Sequence, residues 1–312
     1  MRSHSEQPSG LGTTRLLMHA CASGVLLAWL IGVVFSDQTV LTQLFSWIPG
    51  FLIIPFAFTG MWAARKRSMK TWWVCVAVLA PAWWLFIDQP LRPFHNEPTG
   101  LSIVQWTMSH DKTDRETHAR VIRELDADIT ILTHGYGVRG TPSLLEWLGP
   151  DIQPYKYGHF TILTRLPVRQ VRSVATSNDI SLKMFEIDTI SRLGRPLRVL
   201  AVDFPSGMLR SRMELAEQAH QWLLDRGGGD VDIALGDFNM ARNSSAINLL
   251  LPGMRDAWSL AGVGWGPTFP RSLPLYHIDH VLVAEWINVT QASTIDPGIG
   301  RHRLQHVFLE GR

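Results

Sequence analysis

The residues whose types and order best suit chemistry begin with Gly236-Asp237-Phe238-Asn239. They come after the apolar run Val231 to Leu235, which reads as a buried strand, so a carboxylate and a carboxamide stand together at a strand end. Such a pair can hold a phosphate oxygen or an oxygen bound to a metal. A turn whose Asp and Asn bond only to local backbone has the same spelling. The four residues gain weight from two segments further along the chain. Thr268-Phe269-Pro270 leads to His277-Ile278-Asp279-His280-Val281-Leu282-Val283, and Gly300-Arg301-His302 comes near the end of the sequence. His277 and His280 flank Asp279 and are expected to point away from its face. His110, His118, His159, His220 and His306 read as surface or structural residues, and Trp258 and Trp265 as core.

Several elements must position these residues. Leu101 to Trp106 has the alternation of a strand, and Thr113 with Glu116 spells a capping box before Val121, Ile122 and Leu125 at helical spacing. Asp128 to Thr133, Phe160 to Thr164 and Leu197 to Val202 are short β-rich runs bounded by turn residues, with Asp126 and Asp128 at a helix-to-strand turn. Arg210 to Asp225 puts Leu215, Ala219, Trp222 and Leu223 on one helical face, and Gly227 to Gly229 ends it. Strands alternating with helices imply sheets covered by helices, and no internal repeat is present.

The first ninety residues differ in kind. Leu16 to Phe35 and Phe45 to Ala64 carry no charge, and Trp72 to Ile87 is a shorter uncharged run with Trp72, Trp73, Trp83 and Trp84 at interfacial places. A helix rising about 1.5 Å per residue needs about twenty residues to cross hydrocarbon. Three transmembrane helices are therefore expected, near 16–35, 45–64 and 72–87, within an anchor over 1–88. A cleaved signal peptide fits poorly, because further apolar runs come after the first. Arg2 and Arg15 precede the first run and Arg65, Lys66, Arg67 and Lys70 lie between the second and third, which places both segments inside. Three crossings then deliver the rest of the chain outside the cytoplasm: a multi-pass protein of the inner membrane with a periplasmic domain, partnered by the lipid bilayer.

Pro90 to Gly100, with three prolines and a closing glycine, marks a linker over 89–100, and a domain follows over 101–312. Cys21 and Cys75 both fall in the apolar runs, so the domain has no thiol for a disulfide or a nucleophile. Of the chain's 29 Lys and Arg and 27 Asp and Glu, six and three respectively precede residue 89. The domain is thus about −1, and charge gives no indication of nucleic acid as a partner.

From about Leu101 onward the order of segments resembles the endonuclease/exonuclease/phosphatase superfamily. The opening strand with a Trp, Asp126-Ala127-Asp128-Ile129, Thr161-Ile162-Leu163-Thr164-Arg165-Leu166-Pro167, the Gly-Asp-Phe-Asn turn and Ile278-Asp279-His280-Val281 carry the likeness. The resemblance implies an α/β fold, a four-layer sandwich of two mixed sheets flanked by helices, with the site on one edge. It implies metal-assisted attack of water on a phosphodiester or phosphomonoester. Asp237 would orient or activate the water, Asn239 would bind a phosphate oxygen, and His302 would be the catalytic histidine paired with Asp279. An Asp bonded to a His fixes the tautomer and raises its basicity, which suits such work.

The departures from the family pattern bear on the metal. Trp106-Thr107 stands where the family has Trp-Asn, and Thr133-His134 where it has Gln-Glu, its principal metal ligand. Arg301 replaces the Asp of Ser-Asp-His, and Val202-Asp203-Phe204 ends the strand that usually closes in a phosphate-contacting histidine. Three readings are open. His134 with Asp237, and Asp203 as a further donor, bind a softer ion such as manganese or zinc in place of magnesium. Alternatively, Arg301 replaces a cation as the clamp on phosphate. In the third, the domain is a binding module for a phosphorylated ligand or a membrane partner without hydrolysis.

Overall fold

The computed structural model describes residues 10–88, 97–108, 114–149, 154–177, 180–226 and 229–312. The chain separates into two compact units, Met1–Asp88 and Gln89–Arg312. Most of the expected linker, including Pro90, and also Thr113, His110, Gly227 and Gly228, lies outside the described residues.

The first unit contains helices α1 (Gly10–Phe35), α2 (Val40–Ser46), α3 (Ile53–Ala63) and α4 (Arg67–Trp83). By length and composition two helical stretches can cross a membrane, Gly12–Phe35 and Arg67–Ile87. The second expected span is not one straight helix: α2 and the stretch Gly50–Ala63 meet at a bend of 78°. Pro49 and Gly50 lie at the break, where Pro removes a donor and disfavours helix in the residue before it. Ala22, Leu26 and Trp29 of α1 pack with Ile53 and Ala57 of α3 and Trp73 and Ala80 of α4. Leu16, Leu17, Val34, Phe58, Val78, Leu79 and Phe86 face outward.

The second unit opens with β1 (Leu101–Thr107), α5 (Arg115–Leu125), β2 (Ile129–Thr133), α6 (Pro142–Leu148), β3 (Tyr155–Tyr157), β4 (Phe160–Thr164), β5 (Val168–Thr176) and β6 (Ser181–Ile187). It continues with α7 (Ile190–Leu193), β7 (Leu197–Asp203), α8 (Arg212–Asp225), β8 (Ile233–Asp237), α9 (Ser245–Leu250), β9 (Arg255–Asp256), α10 (Ala257–Ala261) and β10 (Gly262–Val263). The strands β11 (Asp279–Val283), β12 (Ile287–Ile295) and β13 (Leu304–Gly311) complete it. The expected strands and the long helix are all present, with ends shifted by one or two residues. The cap of α5 is Asp114, whose carboxylate accepts from the Thr117 amide at 3.1 Å, while Glu116 accepts instead from the Ser143 hydroxyl at 2.5 Å.

Two mixed sheets form, ordered β10-β12-β13-β1-β2-β4-β3 and β5-β6-β7-β8-β11-β9. Alternation along each strand builds the layers. Ile103, Ile131, Val199, Leu235, Val281 and Val307 meet between the sheets. Val104, Leu132 and Leu163 turn outward against Ala119 and Ile122 of α5 and Leu144 of α6. Leu200, Ala234 and Leu282 turn the other way, against Leu215, Ala219 and Leu223 of α8 and Ile247 of α9. This is the expected four-layer sandwich. Trp258 is buried in its central layer, as core.

Candidate active site

The site follows from register. β6, β7, β8 and β11 pair so that Ser181, Asp203, Asp237 and Asp279 lie in one row. Two residues from each aspartate, Ala201, Leu235 and Val281 belong to the layer between the sheets, so all three carboxylates point into that layer at its end. From the facing sheet, Thr107 lies four residues beyond Ile103 and Gln305 two before Val307, so they come from inward positions of β1 and β13.

The turn after β8 is locked on three sides. The Phe238 amide donates to the Ile278 carbonyl at 3.0 Å and the Phe204 amide to the Asp237 carbonyl at 2.9 Å. Asn239 takes a left-handed conformation at φ 50°, which Asn tolerates better than most residues. Its amide donates to Asp237 Oδ1 at 3.1 Å and its side-chain Nδ2 to the Phe204 carbonyl at 2.8 Å. Gly236 is required: at φ 140° a Cβ would stand 1.9 Å from the Val202 carbonyl oxygen.

Asp279 is fully buried and engaged on both oxygens. Oδ1 accepts from the Thr107 hydroxyl at 2.5 Å and from Gln105 Nε2 at 3.4 Å, and Oδ2 pairs with His302 Nδ1 at 2.8 Å. Its amide donates to Thr268 Oγ1 at 3.3 Å, and its carbonyl accepts from Gln305 Nε2 at 2.9 Å. One donor atom from each of Asp237, Asp279 and His302 lies within 4.8 Å of the others. The Phe269 ring lies 4.9 Å from that of His302, and the exposed Arg301 sets its guanidinium 5.7 Å from the same Phe269 ring.

The charges in this cluster are unequal. Burial, then the Asp279 and Asp203 carboxylates against the opposing His302, push Asp237 well above the usual carboxylate range. Burial would raise Asp279 too, but the His302 charge and bonds from His302, Thr107 and Thr268 hold it below that range. Burial disfavours the His302 imidazolium, yet Asp279, its hydrogen bond and Asp237 raise it above an ordinary histidine. The stable arrangement is an ionised Asp279 with a readily protonated His302, beside an Asp237 that lacks comparable compensation.

At the next position in the row, Asp203 Oδ2 contacts His159 Nδ1 at 2.6 Å and His134 Nε2 at 3.2 Å. From sequence, His134 is expected as a donor beside Asp203, and His159 as a surface or structural residue. His159 had no local signal, since only the pairing of Thr133 with Phe160 brings it beside His134. Burial works against charging His159, but the Asp203 bond outweighs it and raises the imidazole. Among the described residues, three other histidines have structural partners: His118 stacks on Trp106 at 5.1 Å, His220 Nδ1 meets the Leu250 carbonyl at 2.9 Å, and His280 Nε2 meets the Met240 carbonyl at 2.9 Å. His280 faces away from Asp279 as expected. His277 is tied more closely to the site, its Nε2 lying 2.8 Å from the Gln305 Nε2 that also bonds the Asp279 carbonyl.

A two-sheet sandwich with an Asp–His pair and a strand-end Asp-Phe-Asn turn defines a hydrolase fold of the phosphoesterase kind. The chain belongs to the Endonuclease/Exonuclease/phosphatase family, whose model matches residues 111–302. Solved structures agree in fold. A mannosyl-6-phosphatase of Bacteroides thetaiotaomicron superposes with TM-score 0.53 at 14% identity, covering 67% of this chain and 99% of its own. A family protein from Beutenbergia cavernae gives 0.53 at 16% over 68% and 71%, and a conserved protein of unknown function from Enterococcus faecalis 0.52 at 15% over 68% and 100%. No curated protein matches the chain in sequence.

Proposed function

We propose that this protein is a membrane-anchored hydrolase of phosphodiesters or phosphomonoesters whose catalytic domain lies outside the cytoplasm. The observation that carries the chemistry is the convergence of Asp237, Asp279 and His302 from three separate chain segments on one end of the inter-sheet layer, with donor atoms within 4.8 Å. In this reading Asp237 orients and activates the attacking water. Asp279 holds His302 through Nδ1, which leaves Nε2 to hold a phosphate oxygen or to give the leaving group its proton. Asn239 sits at the same turn to bind a phosphate oxygen, and Arg301, exposed at the rim, offers a planar fork to the substrate phosphate.

The residues present suit a divalent metal. Three carboxylates in one row, with Asp237 raised first by burial and then by the Asp279 and Asp203 charges, are an environment that a dication relieves. The expected pair of holders, Asp237 and His134, falls in two neighbouring donor clusters, Asp237 with Asp279 and His302 and His134 with His159 and Asp203. When bound, such an ion supplies charge neutralisation and Lewis-acid polarisation of a phosphoryl oxygen.

The anchor reading rests on α1, on the stretch Arg67–Ile87 and on the bent pair between them. If the bent pair re-entered the side it left, Arg65, Lys66, Arg67 and Lys70 would share a side opposite to Arg15, against the positive-inside rule; a crossing bent pair keeps all of them inside. The domain then lies in the periplasm of a bacterium. Its near-neutral charge favours a lipid headgroup or another local phosphate ester over nucleic acid. The test is turnover by the full chain in detergent, on generic phosphodiesters and phosphomonoesters with magnesium, manganese or zinc. Hydrolysis abolished by Asp237→Ala and by His302→Ala supports the proposal, and absence of turnover with every metal sinks it.

A further inference from the structure

We propose that His134, His159 and Asp203 form the ligand set of the domain's metal, and that this set selects a transition-metal dication such as zinc or manganese over magnesium. The inference deepens the phosphoesterase reading and rests on it for the metal's role, though not for its binding. One donor atom from each residue lies within 4.8 Å of the others, and Asp203 Oδ2 is shared by both imidazoles. Two imidazoles and one carboxylate on one face, with the remaining positions left for water or substrate, are a donor set that zinc, manganese and iron accept. Magnesium requires more oxygen and is held through carboxylates and water.

The backbone holds this set in a specific geometry. His134 lies just past the end of β2 in a left-handed conformation at φ 59°. That conformation costs on the order of 1 kcal/mol for a residue with a Cβ, and such outliers gather at functional sites. The strain is held by the His134 amide, which donates to the His159 carbonyl at 2.7 Å and brings the two rings to 4.9 Å between centroids. Asp203 closes β7 directly across from Asp237 in the register, so an ion bound here neighbours the water-orienting carboxylate. The set is also reachable: the His159 side chain is 42% exposed while Asp203 is 11% exposed, so an ion meets an open imidazole first and a desolvated carboxylate behind it.

The experiment uses the full chain in detergent, stripped with a chelator and dialysed against zinc or manganese. Metal content is read by elemental analysis, and manganese binding is read separately by electron paramagnetic resonance. Wild type should take up one equivalent and resist a hundredfold excess of magnesium. His159→Ala, at a side chain 42% exposed, should weaken binding at least tenfold, and Asp203→Asn should do the same in a protein shown to be folded by circular dichroism. Zinc should raise the melting temperature of wild type and not of His159→Ala. Equal affinity in wild type, His159→Ala and Asp203→Asn, or displacement by equimolar magnesium, overturns the ligand assignment even if hydrolysis persists. Tight zinc binding without any hydrolysis leaves the ligand set standing and rejects the enzyme reading instead.

Discussion

Replacing Asp279 with Asn tests the centre of the site with a change of one atom. The amide keeps the shape of a fully buried side chain but loses the charge, and its two ends are no longer alike. Thr107 and Gln105 both present hydrogens to Oδ1, at 2.5 and 3.4 Å, so the oxygen of the substituted amide belongs on that side. The NH2 group must then face His302 Nδ1, where Oδ2 stood at 2.8 Å. A donor facing Nδ1 forbids a proton there, which excludes the imidazolium and fixes the tautomer with its hydrogen on Nε2. Burial already works against charge on His302, and Asp279 is the main group opposing it, so the imidazole falls from above its ordinary range to below it. Each tenfold loss of the protonated form corresponds to about 1.4 kcal/mol. General acid–base catalysis by a positioned side chain contributes about 10²–10⁴-fold, so kcat should drop by that factor with KM little changed. A raised imidazole acts as an acid until pH passes its pKa, so the alkaline limb of the rate profile should move to lower pH in Asp279→Asn. Stability should change little, because losing the Asp279 charge also relieves the repulsion that raises Asp237. The assay is kcat and KM against pH for wild type and variant with a chromogenic phosphodiester. A kcat within tenfold of wild type, or an unmoved alkaline limb, refutes the pairing as a catalytic device.

Four further outcomes are expected. Gly236→Ala drives a Cβ into the Val202 carbonyl at 1.9 Å, a backbone atom that cannot step aside, and should cost roughly 3 kcal/mol, read as a lower melting temperature. Arg301→Ala should raise KM about tenfold and leave kcat within about threefold, as expected for a rim group that binds ground and transition states alike. Burial pushes His306 down to about 4, with Asp128 opposing only in part. The unfolded chain therefore takes up the proton first, and this residue's contribution is lost as pH falls from about 6.5 to about 4, by up to about 3 kcal/mol; His306→Gln should flatten that part of the stability curve. A C-terminal alkaline phosphatase fusion should be active in a bacterial host and a green fluorescent fusion dark, and the reverse pattern would reject the extracytoplasmic placement.

What the sequence disclosed and what it hid divide along physical lines. Element ends were legible because periodicity is local: Phe160–Thr164 is the strand that its β-branched run spells, and Arg212–Asp225 is the helix that its apolar face requires. The broken second span was not, because its uncharged composition satisfies a hydropathy count whether or not Pro49 and Gly50 interrupt the helix between α2 and α3. Within the site, Asp237 and Asn239 could be named from a turn of four residues, and Asp279 with His302 from a family order of segments. The pairing of Asp203 with two imidazoles had no such signature. Its three members come from the ends of β2, β4 and β7, and they meet only because Thr133 pairs with Phe160 and the Asp203 carboxylate points into the same end of the inter-sheet layer. That meeting changes how the losses read. By the family resemblance, His134 stands where a carboxylate is expected and Asp203 closes the strand expected to end in an imidazole, and here the two touch at 3.2 Å. Substitutions that look like decay when read one position at a time bring two imidazoles and a carboxylate together at one end of the fold, the donor set proposed above for the metal.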